Sequence, residues 1–414
     1  MNLFYHFGLW SYRLIARLIT PFYPKAALFS KGHTGLIAHI KSRIDHHAPI
    51  VWFHCASLGE FEQGRPIIEA YRIQEPTHKI LLTFFSPSGY EVKKESPIAD
   101  WIFYLPLDTR QNVRRFLDIV QPIKAIFVKY EFWYNYLKAL KKRGIPTFMV
   151  SATFRPSQPF FKWYGAFFRR MLRTFTLLFV QNQASKELLH RIGFTHVVVA
   201  GDTRFDRVWA QAQLPCTQPV VERFLGDSAM DVCVAGSTWP ADEALLLQAL
   251  KAIPSLKIIL VPHEVDLLHI AKIMEQFAPF CPTQYSQVIA GNESMAESRV
   301  LVIDTIGLLS SLYRFGTMAY VGGGFDAGIH NILEAAVYGI PVVFGPRYKK
   351  FNEAVDLIRL GGAHAICTKE ELTAQIIQWI SDVNTRQEQG ATNLHYVQEK
   401  VGATQVVMQY VSGL

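Results

Sequence analysis

Two glutamates stand where this chain could move a proton. Glu60 lies in HCASLGEFEQGRP (54–66) and Glu131 in VKYEFWYNYL (128–137), each between an apolar run and a helical pattern. A carboxylate at the mouth of a crevice can take a proton from a hydroxyl, and partial desolvation raises its pKa toward the working range. A glutamate in a first helical turn also caps the helix and complements its dipole. Taken singly, each residue is read first in that plainer role. Ser57 and Gly59 share the loop before Glu60. Arg204, in GDTRFDRV (201–208), suits either a phosphate or carboxylate ligand or a salt bridge where two domains join.

A second group suits an anion. VAGSTWPADE (234–243) closes a strand-like run and opens a helix, with Ser237 or Thr238 as N-cap and Pro240 in the first turn. Capping accounts for these residues, and a phosphate held at Gly236, Ser237 and Thr238 would use the same N–H groups. His263, in VPHE (261–264), follows the next strand. A lone histidine is more often structural than catalytic, and no His/Cys/carboxylate spacing here suits a metal. The stretch VGGGFDAGIHNILEAAVYGIPVVFGP (321–346) reads as strand, glycine loop, helix, strand. Gly322, Gly323 and Gly324 would let a backbone approach a ligand closely, and a helix start attracts an anion. Glu334, beside His330 and Asn331, is placed to bind a ribose diol. A tight turn with no ligand is the plainer alternative.

The elements that carry these residues alternate. Strand-like runs fall at 50–55, 79–85, 101–105, 125–130, 146–152, 177–181 and 197–200, with helical stretches between them. A second series falls at 231–235, 257–261, 300–303, 318–321, 341–344 and 363–367. Repeated βα units imply parallel sheets covered on both faces. The predicted class is α/β, with two doubly wound Rossmann-like domains facing a cleft. The boundaries are an N-terminal segment 1–30, an α/β domain 31–205, a linker 206–230 containing one short helix, and a second α/β domain 231–383. A C-terminal helix, 384–414, would pack back on the first domain. Ligands in such sheets bind beyond the carboxyl ends of the strands, where all the residues above sit.

Composition narrows the partners. The chain has 414 residues, half of them hydrophobic, so core is plentiful and global disorder is excluded. Five cysteines without a CxxC pair indicate a reducing compartment. Residues 1–205 hold 28 Lys+Arg against 13 Asp+Glu, and residues 206–414 hold 14 against 21, so net +15 and −7 sum to the overall +8. A basic first half suggests nucleic acid, a phosphorylated substrate or an acidic membrane as partner. PFFKWYGAFFRRMLR (159–173) reads as a basic amphipathic helix, suited to anionic lipid or to the protein's own core. The amino terminus is apolar but broken by Arg13 and Arg17, and lacks a small-residue cleavage site. It falls short of the ~20 apolar residues of a spanning helix, so it reads as an interfacial or short signal anchor with the body in the cytoplasm.

Taken together, eight segments resemble the 3-deoxy-manno-octulosonate (Kdo) transferases of lipopolysaccharide synthesis. They are HCASLGE (54–60), FSPSGY (85–90), YEFWYN (130–135), GDTRFD (201–206), AGSTWPADE (235–243), LVPHE (260–264), DTIGLL (304–309) and GGGFDAGIHNILEAA (322–336). They run in the family's order over roughly residues 50–360. The resemblance implies a GT-B glycosyltransferase that uses CMP-Kdo as donor and needs neither metal nor cofactor. It implies a lipid A precursor as acceptor, at the cytoplasmic face of the inner membrane, and no nucleic acid. By motif match, Glu60 takes the place of the general base of an inverting transfer, and Glu131 matches a second acidic position. Ser57 and Gly59 fall on the acceptor side. Gly236, Ser237, Thr238, His263 and the 322–336 segment fall on the donor side, with Glu334 on the ribose and Asn331 near the phosphate.

Three positions depart from the pattern. Lys129 stands where many members carry an acid, His263-Glu264 where many have Arg-His, and Arg204 in place of a more usual lysine. Two other readings compete: a different GT-B-like enzyme such as a nucleotide-sugar 2-epimerase, and a non-catalytic membrane- or nucleic-acid-binding relative. In the second, Glu60 would be dispensable.

Overall fold

The βα alternation resolves into two seven-stranded sheets in which every strand pair is parallel. The computed structural model describes residues 5, 7–9, 11, 15, 20–45, 47, 49–226, 231–292, 295 and 297–413. Two units emerge, one of residues 1–207 with 401–414 and one of residues 208–400.

The first unit contains β1 (Ile50–Cys55), β2 (Lys79–Phe84), β3 (Trp101–Tyr104), β4 (Lys124–Val128), β5 (Thr147–Ala152), β6 (Leu177–Val180) and β7 (Val197–Val199). Their order is β3-β2-β1-β4-β5-β6-β7. All six residues of β1 and all five of β4 are buried. Helices cover both faces of the sheet, so the strands read as continuous apolar runs rather than alternating ones. Trp52 and Phe127 pack in one core layer, Phe53 and Ile126 in the other. The chain winds outward from β1 to β3 and then returns to the opposite side of β1 as β4. Between β1 and β4 the following connections therefore diverge, and a crevice opens at their carboxyl ends. Glu60 and Glu131 follow these two strands.

The second unit repeats the plan. It contains β8 (Val232–Thr238), β9 (Lys257–Pro262), β10 (Thr283–Gln284), β11 (Val300–Val302), β12 (Met318–Val321), β13 (Val342–Phe344) and β14 (Ala363–Ala365). Their order is β10-β11-β9-β8-β12-β13-β14, which places the winding reversal between β8 and β12. The serine–threonine turn follows β8 and the three glycines follow β12.

Several details differ from the sequence expectation. The segment 159–173, read as one basic amphipathic helix, is a 3-10 turn, Pro159–Phe161, and a separate short helix, Ala166–Leu172, because Phe160, Phe167, Met171 and Leu172 turn into the core. The two-residue edge strand β10 carries too short a run to show a period. The stretch read as a linker holds two helices, Thr203–Gln213 and Pro219–Leu225, and the division after Arg207 falls inside the first. The helical tail is also two helices, Val383–Glu399 and Ala403–Val411, separated at Gly402, whose φ of 120° ends a helical path. The longer stays in the second unit, where Asn393 Nδ2 donates to the carbonyls of Ile340 and Gly362 at 2.8 Å each. Only the shorter packs on the first unit, through Val407, Met408 and Val411. Asp206 holds its start by accepting from the amides of Gly402 (2.5 Å) and Thr404 (2.7 Å).

In the amino-terminal segment, Arg13 and Arg17 lie outside the described residues. Tyr5 donates to Asp108 at 2.5 Å, and Asp108 accepts from the amides of Asn135 and Tyr136, both at 2.9 Å. Asp108 thereby caps the helix Tyr134–Lys142 from a distant loop. Burial pushes its carboxyl up to about 7, against the pull of these donors. Among the described residues, no helix is long and apolar enough to cross a membrane.

Candidate active site

At the first crevice, Ser57 is the N-cap of the helix Leu58–Gln74 and Glu60 its third residue. The Glu60 carboxylate turns back on the loop, where Oε2 accepts from the amides of Ala56 (2.5 Å) and Ser57 (3.2 Å). This is the capping role the spacing allows. It occupies one oxygen, and among the described residues Oε1 accepts nothing. The side chain is half-buried. Its pKa is raised, chiefly by burial and then by the charge of Glu131, against the Ala56 amide, His54 and Lys129. Capping and proton abstraction are therefore compatible, since the cap fixes the geometry that a base needs. Gly59 is exposed, and a Cβ there would meet nothing within 4 Å.

Glu131 comes from the connection after β4. Its Oε2 lies 2.7 Å from Trp133 Nε1 and 3.2 Å from Nε2 of His54, a residue of β1. Pairing of β1 with β4 brings these groups together across 77 positions of sequence. Lys129, between β4 and Glu131, has φ 60°, a left-handed conformation uncommon outside glycine. Lys129 thus brings a cation that pulls the Glu60 carboxyl down.

At the second crevice, Ser237 also adopts a left-handed backbone, with φ 54°. A Cβ on Gly322 would stand 2.2 Å from its carbonyl oxygen, so β12 and the turn after β8 touch backbone to backbone. Asp242 welds the two loops. It accepts from the amides of Trp239 (2.9 Å) and Gly323 (3.0 Å) and from the Tyr320 hydroxyl (2.6 Å). Thr238 Oγ1 donates to Glu243 at 3.2 Å, and His269 lies 3.1 Å from the same carboxylate. Burial raises the Glu243 pKa, while His269 pulls it down. Gly236 has no room for a side chain, since a Cβ would lie 2.1 Å from the Tyr313 hydroxyl oxygen.

Over this turn His263 is sandwiched between Trp239 and His330, with ring centroids 4.8 and 4.4 Å apart. Trp239 Nε1 donates to His330 Nε2 at 3.3 Å. Burial, then His263, lowers the His330 pKa, consistent with a neutral acceptor. Asn331 Nδ2 donates to Glu334 Oε1 at 3.1 Å.

The glycine stretch differs from its expected form. The following helix is one turn, Leu333–Ala336. The Gly322 and Gly323 amides donate to Gly236 O (2.9 Å) and Asp242. These two glycines therefore serve close packing, and their N–H groups point into the protein. Arg204 binds its neighbour Asp202 through Nε (2.9 Å) and Nη2 (2.7 Å). His54, Trp133, Trp239 and Asp242 were not singled out from sequence, although each lies inside a motif quoted above. A buried polar residue within an apolar strand, as His54 is in IVWFHC, was the signal available for one of them. Among the described residues, no group of three or more His, Cys, Asp or Glu could hold a metal ion.

Residues 31–207 match the family model described as 3-deoxy-D-manno-octulosonic-acid transferase (kdotransferase). The 3-deoxy-D-manno-octulosonic acid transferase of Aquifex aeolicus is 30% identical over 339 residues, covering 80% of this chain and 86% of that protein. Its counterpart in Bordetella pertussis is 29% identical, covering 76% and 75%. Among solved structures, UDP-GlcNAc 2-epimerase from Neisseria meningitidis matches with a TM-score of 0.63 at 15% identity, covering 88% of this chain and all of that one. MurG from Acinetobacter baumannii matches with 0.57 at 14%, covering 88% and 100%. These two share the GT-B-like fold and, at such identity, carry no information on the reaction. The sequence relationship does: this chain belongs to the Kdo transferase family of glycosyltransferases.

Proposed function

We propose that this enzyme transfers Kdo from CMP-Kdo to a lipid A precursor, an acylated and phosphorylated glucosamine disaccharide, with inversion at the anomeric carbon. The observation that carries the reading is the Glu60 carboxylate, held by two backbone amides through one oxygen and raised in pKa by burial and by Glu131. Glu60 takes the proton of an acceptor sugar hydroxyl as that oxygen attacks the anomeric carbon of Kdo. The bond from that carbon to the phosphate oxygen breaks, and CMP departs as a phosphate monoester. Ser57 and Gly59 border the acceptor hydroxyl, and the open space at Gly59 suits a sugar ring.

The donor falls to the second unit. The Trp239–His263–His330 stack and the turn Gly236–Thr238 face the nucleotide, Asn331 the phosphate and Glu334 the ribose. Gly322 and Gly324 seat the glycine loop against the backbones of Ser237 and Gly345, and Gly323 ties it to Asp242. Arg204 is a candidate for the Kdo carboxylate. Glu60→Gln should lower transfer by about 10²–10⁴-fold in an assay with CMP-Kdo and a lipid A precursor, with products counted by mass and CMP binding retained. Transfer at the wild-type rate would remove Glu60 from the mechanism.

The same reading places the first unit on the anionic cytoplasmic surface of the inner membrane. Tyr134, Lys138, Lys141, Lys142, Arg170 and Arg173 line a groove of about 420 Å³, and none of its five cations has a carboxylate partner among the described residues. Earlier in the same segment of chain as Arg170 and Arg173, Trp163 is 91% exposed and Tyr164 50%. Like charges converging without counter-charge favour an anionic surface, and exposed aromatic rings suit a headgroup layer. Sedimentation with phosphatidylglycerol vesicles should weaken as salt rises and fail with phosphatidylcholine. Equal binding to both vesicles would contradict an electrostatic contact.

A further inference from the structure

His54 is fully buried in the middle of an apolar sheet, and its two ring nitrogens are both engaged. Nδ1 lies 3.1 Å from the carbonyl oxygen of Thr83, its register partner on β2, and 2.9 Å from Thr83 Oγ1. A carbonyl only accepts and a hydroxyl does either, so Nδ1 donates to the Thr83 carbonyl or accepts from the Thr83 hydroxyl, and in the second case the ring hydrogen sits on Nε2. The Thr83 hydroxyl is itself set by Trp52, whose Nε1 donates to it at 2.8 Å. This locks the imidazole with Nε2 facing Glu131 Oε2 at 3.2 Å.

Either tautomer calls for a hydrogen between Nε2 and Glu131 Oε2. One N–H, that of Trp133, stands 2.7 Å from Glu131 Oε2 and 3.0 Å from His54 Nε2. With the ring hydrogen on Nδ1 and no further proton, two lone pairs would face each other with one donor to serve both. A buried arrangement of that kind leaves an unsatisfied acceptor. With the ring hydrogen on Nε2, that hydrogen itself lies between Nε2 and Oε2. We infer that His54 and Glu131 share a proton, and that His54 is a positioning residue that pins Glu131 and offsets its charge on Glu60. Thr83, Trp52 and Trp133 hold the pair in place.

This inference rests on the proposed role of Glu60 and deepens it. The groups facing Glu60 are Glu131 and Lys129 from the β4 connection and His54 from β1. Cys55 and Glu62 flank it, and burial keeps the Cys55 thiol protonated. Burial and Glu131 raise the Glu60 pKa, while His54 and Lys129 lower it. A base must be ionised to act, so kcat/KM falls below its pKa. Loss of the shared proton leaves the Glu131 charge uncompensated and moves that fall to higher pH.

The experiment is the pH profile of kcat/KM for the full-length enzyme, His54→Asn, Glu131→Gln and the double variant. His54→Asn should move the acid limb up by about one pH unit, the scale of a neighbouring charge a few ångströms away. In the Glu131→Gln background the same change should leave the limb in place. A limb that stays put in His54→Asn while the rate falls evenly at all pH would overturn the inference. So would an equal shift in both backgrounds. Nitrogen-15 NMR of histidine-labelled wild-type enzyme needs no variant and should detect an exchange-protected proton bridging Nε2, and its absence would also overturn the inference. Full activity of Glu60→Gln would instead sink the role of Glu60 and leave the NMR result standing.

Discussion

The two crevices are built alike and furnished oppositely. In each unit the winding reverses beside the first strand of its sheet, between β1 and β4 or between β8 and β12. In each, a residue in left-handed conformation, Lys129 or Ser237, sharpens a turn there. The acids diverge in use. Glu60 keeps one oxygen without a partner among the described residues, and Glu131 bonds only side chains. Asp242 and Glu243 of the second unit are buried and bonded to the backbone, a hydroxyl or a histidine. The first crevice therefore holds carboxylates whose oxygens the backbone does not exhaust, as the proposed base requires, and the second holds carboxylates that brace loops. One topology serves both because it dictates only where chains diverge, and side chains decide what the gap can do.

This contrast breaks if the acids prove interchangeable. Glu60→Gln should lower kcat/KM by about 10²–10⁴-fold, the range of general-base catalysis, with a melting temperature close to wild type. Asp242→Ala should do the reverse in kind. It strands the Trp239 and Gly323 amides and the Tyr320 hydroxyl, a loss of about 3 kcal/mol or more, visible in thermal unfolding. Donor affinity should weaken with it, because both loops proposed to face the donor hang on this carboxylate. A stable Asp242→Ala enzyme with intact donor binding would dissolve the distinction. The smallest effect sharpens it: Gly236→Ala should cost about 1–3 kcal/mol through the clash with Tyr313, with Tyr313→Phe restoring part. No rescue would place the strain elsewhere, for instance on Leu309.

The same pair of crevices separates what was legible in sequence from what was not. Strands buried on both faces announce themselves as apolar runs, so the thirteen expected runs all appear as strands and the short edge strand β10 does not. Glu60 was legible as a candidate because its partners, the amides of Ala56 and Ser57, are three and four residues away. Its dependence on Glu131 and His54 was not, since the pairing of β1 with β4 follows from sheet order and not from any local pattern. The glycine loop misled for a related reason. Three glycines signal close approach, but only the fold shows that what approaches Gly322 is the backbone of Ser237.

By itself, the sequence determined the class, the succession of elements and the membership in a transferase family, because burial periodicity and short motifs are local properties of the chain. The tertiary structure decided which carboxylate retains a free oxygen, which one is welded into the protein, and which buried histidine faces Glu131. Those are contacts between residues up to 81 positions apart. Their energies depend on desolvation and distance, which arise only once the strands have taken their places.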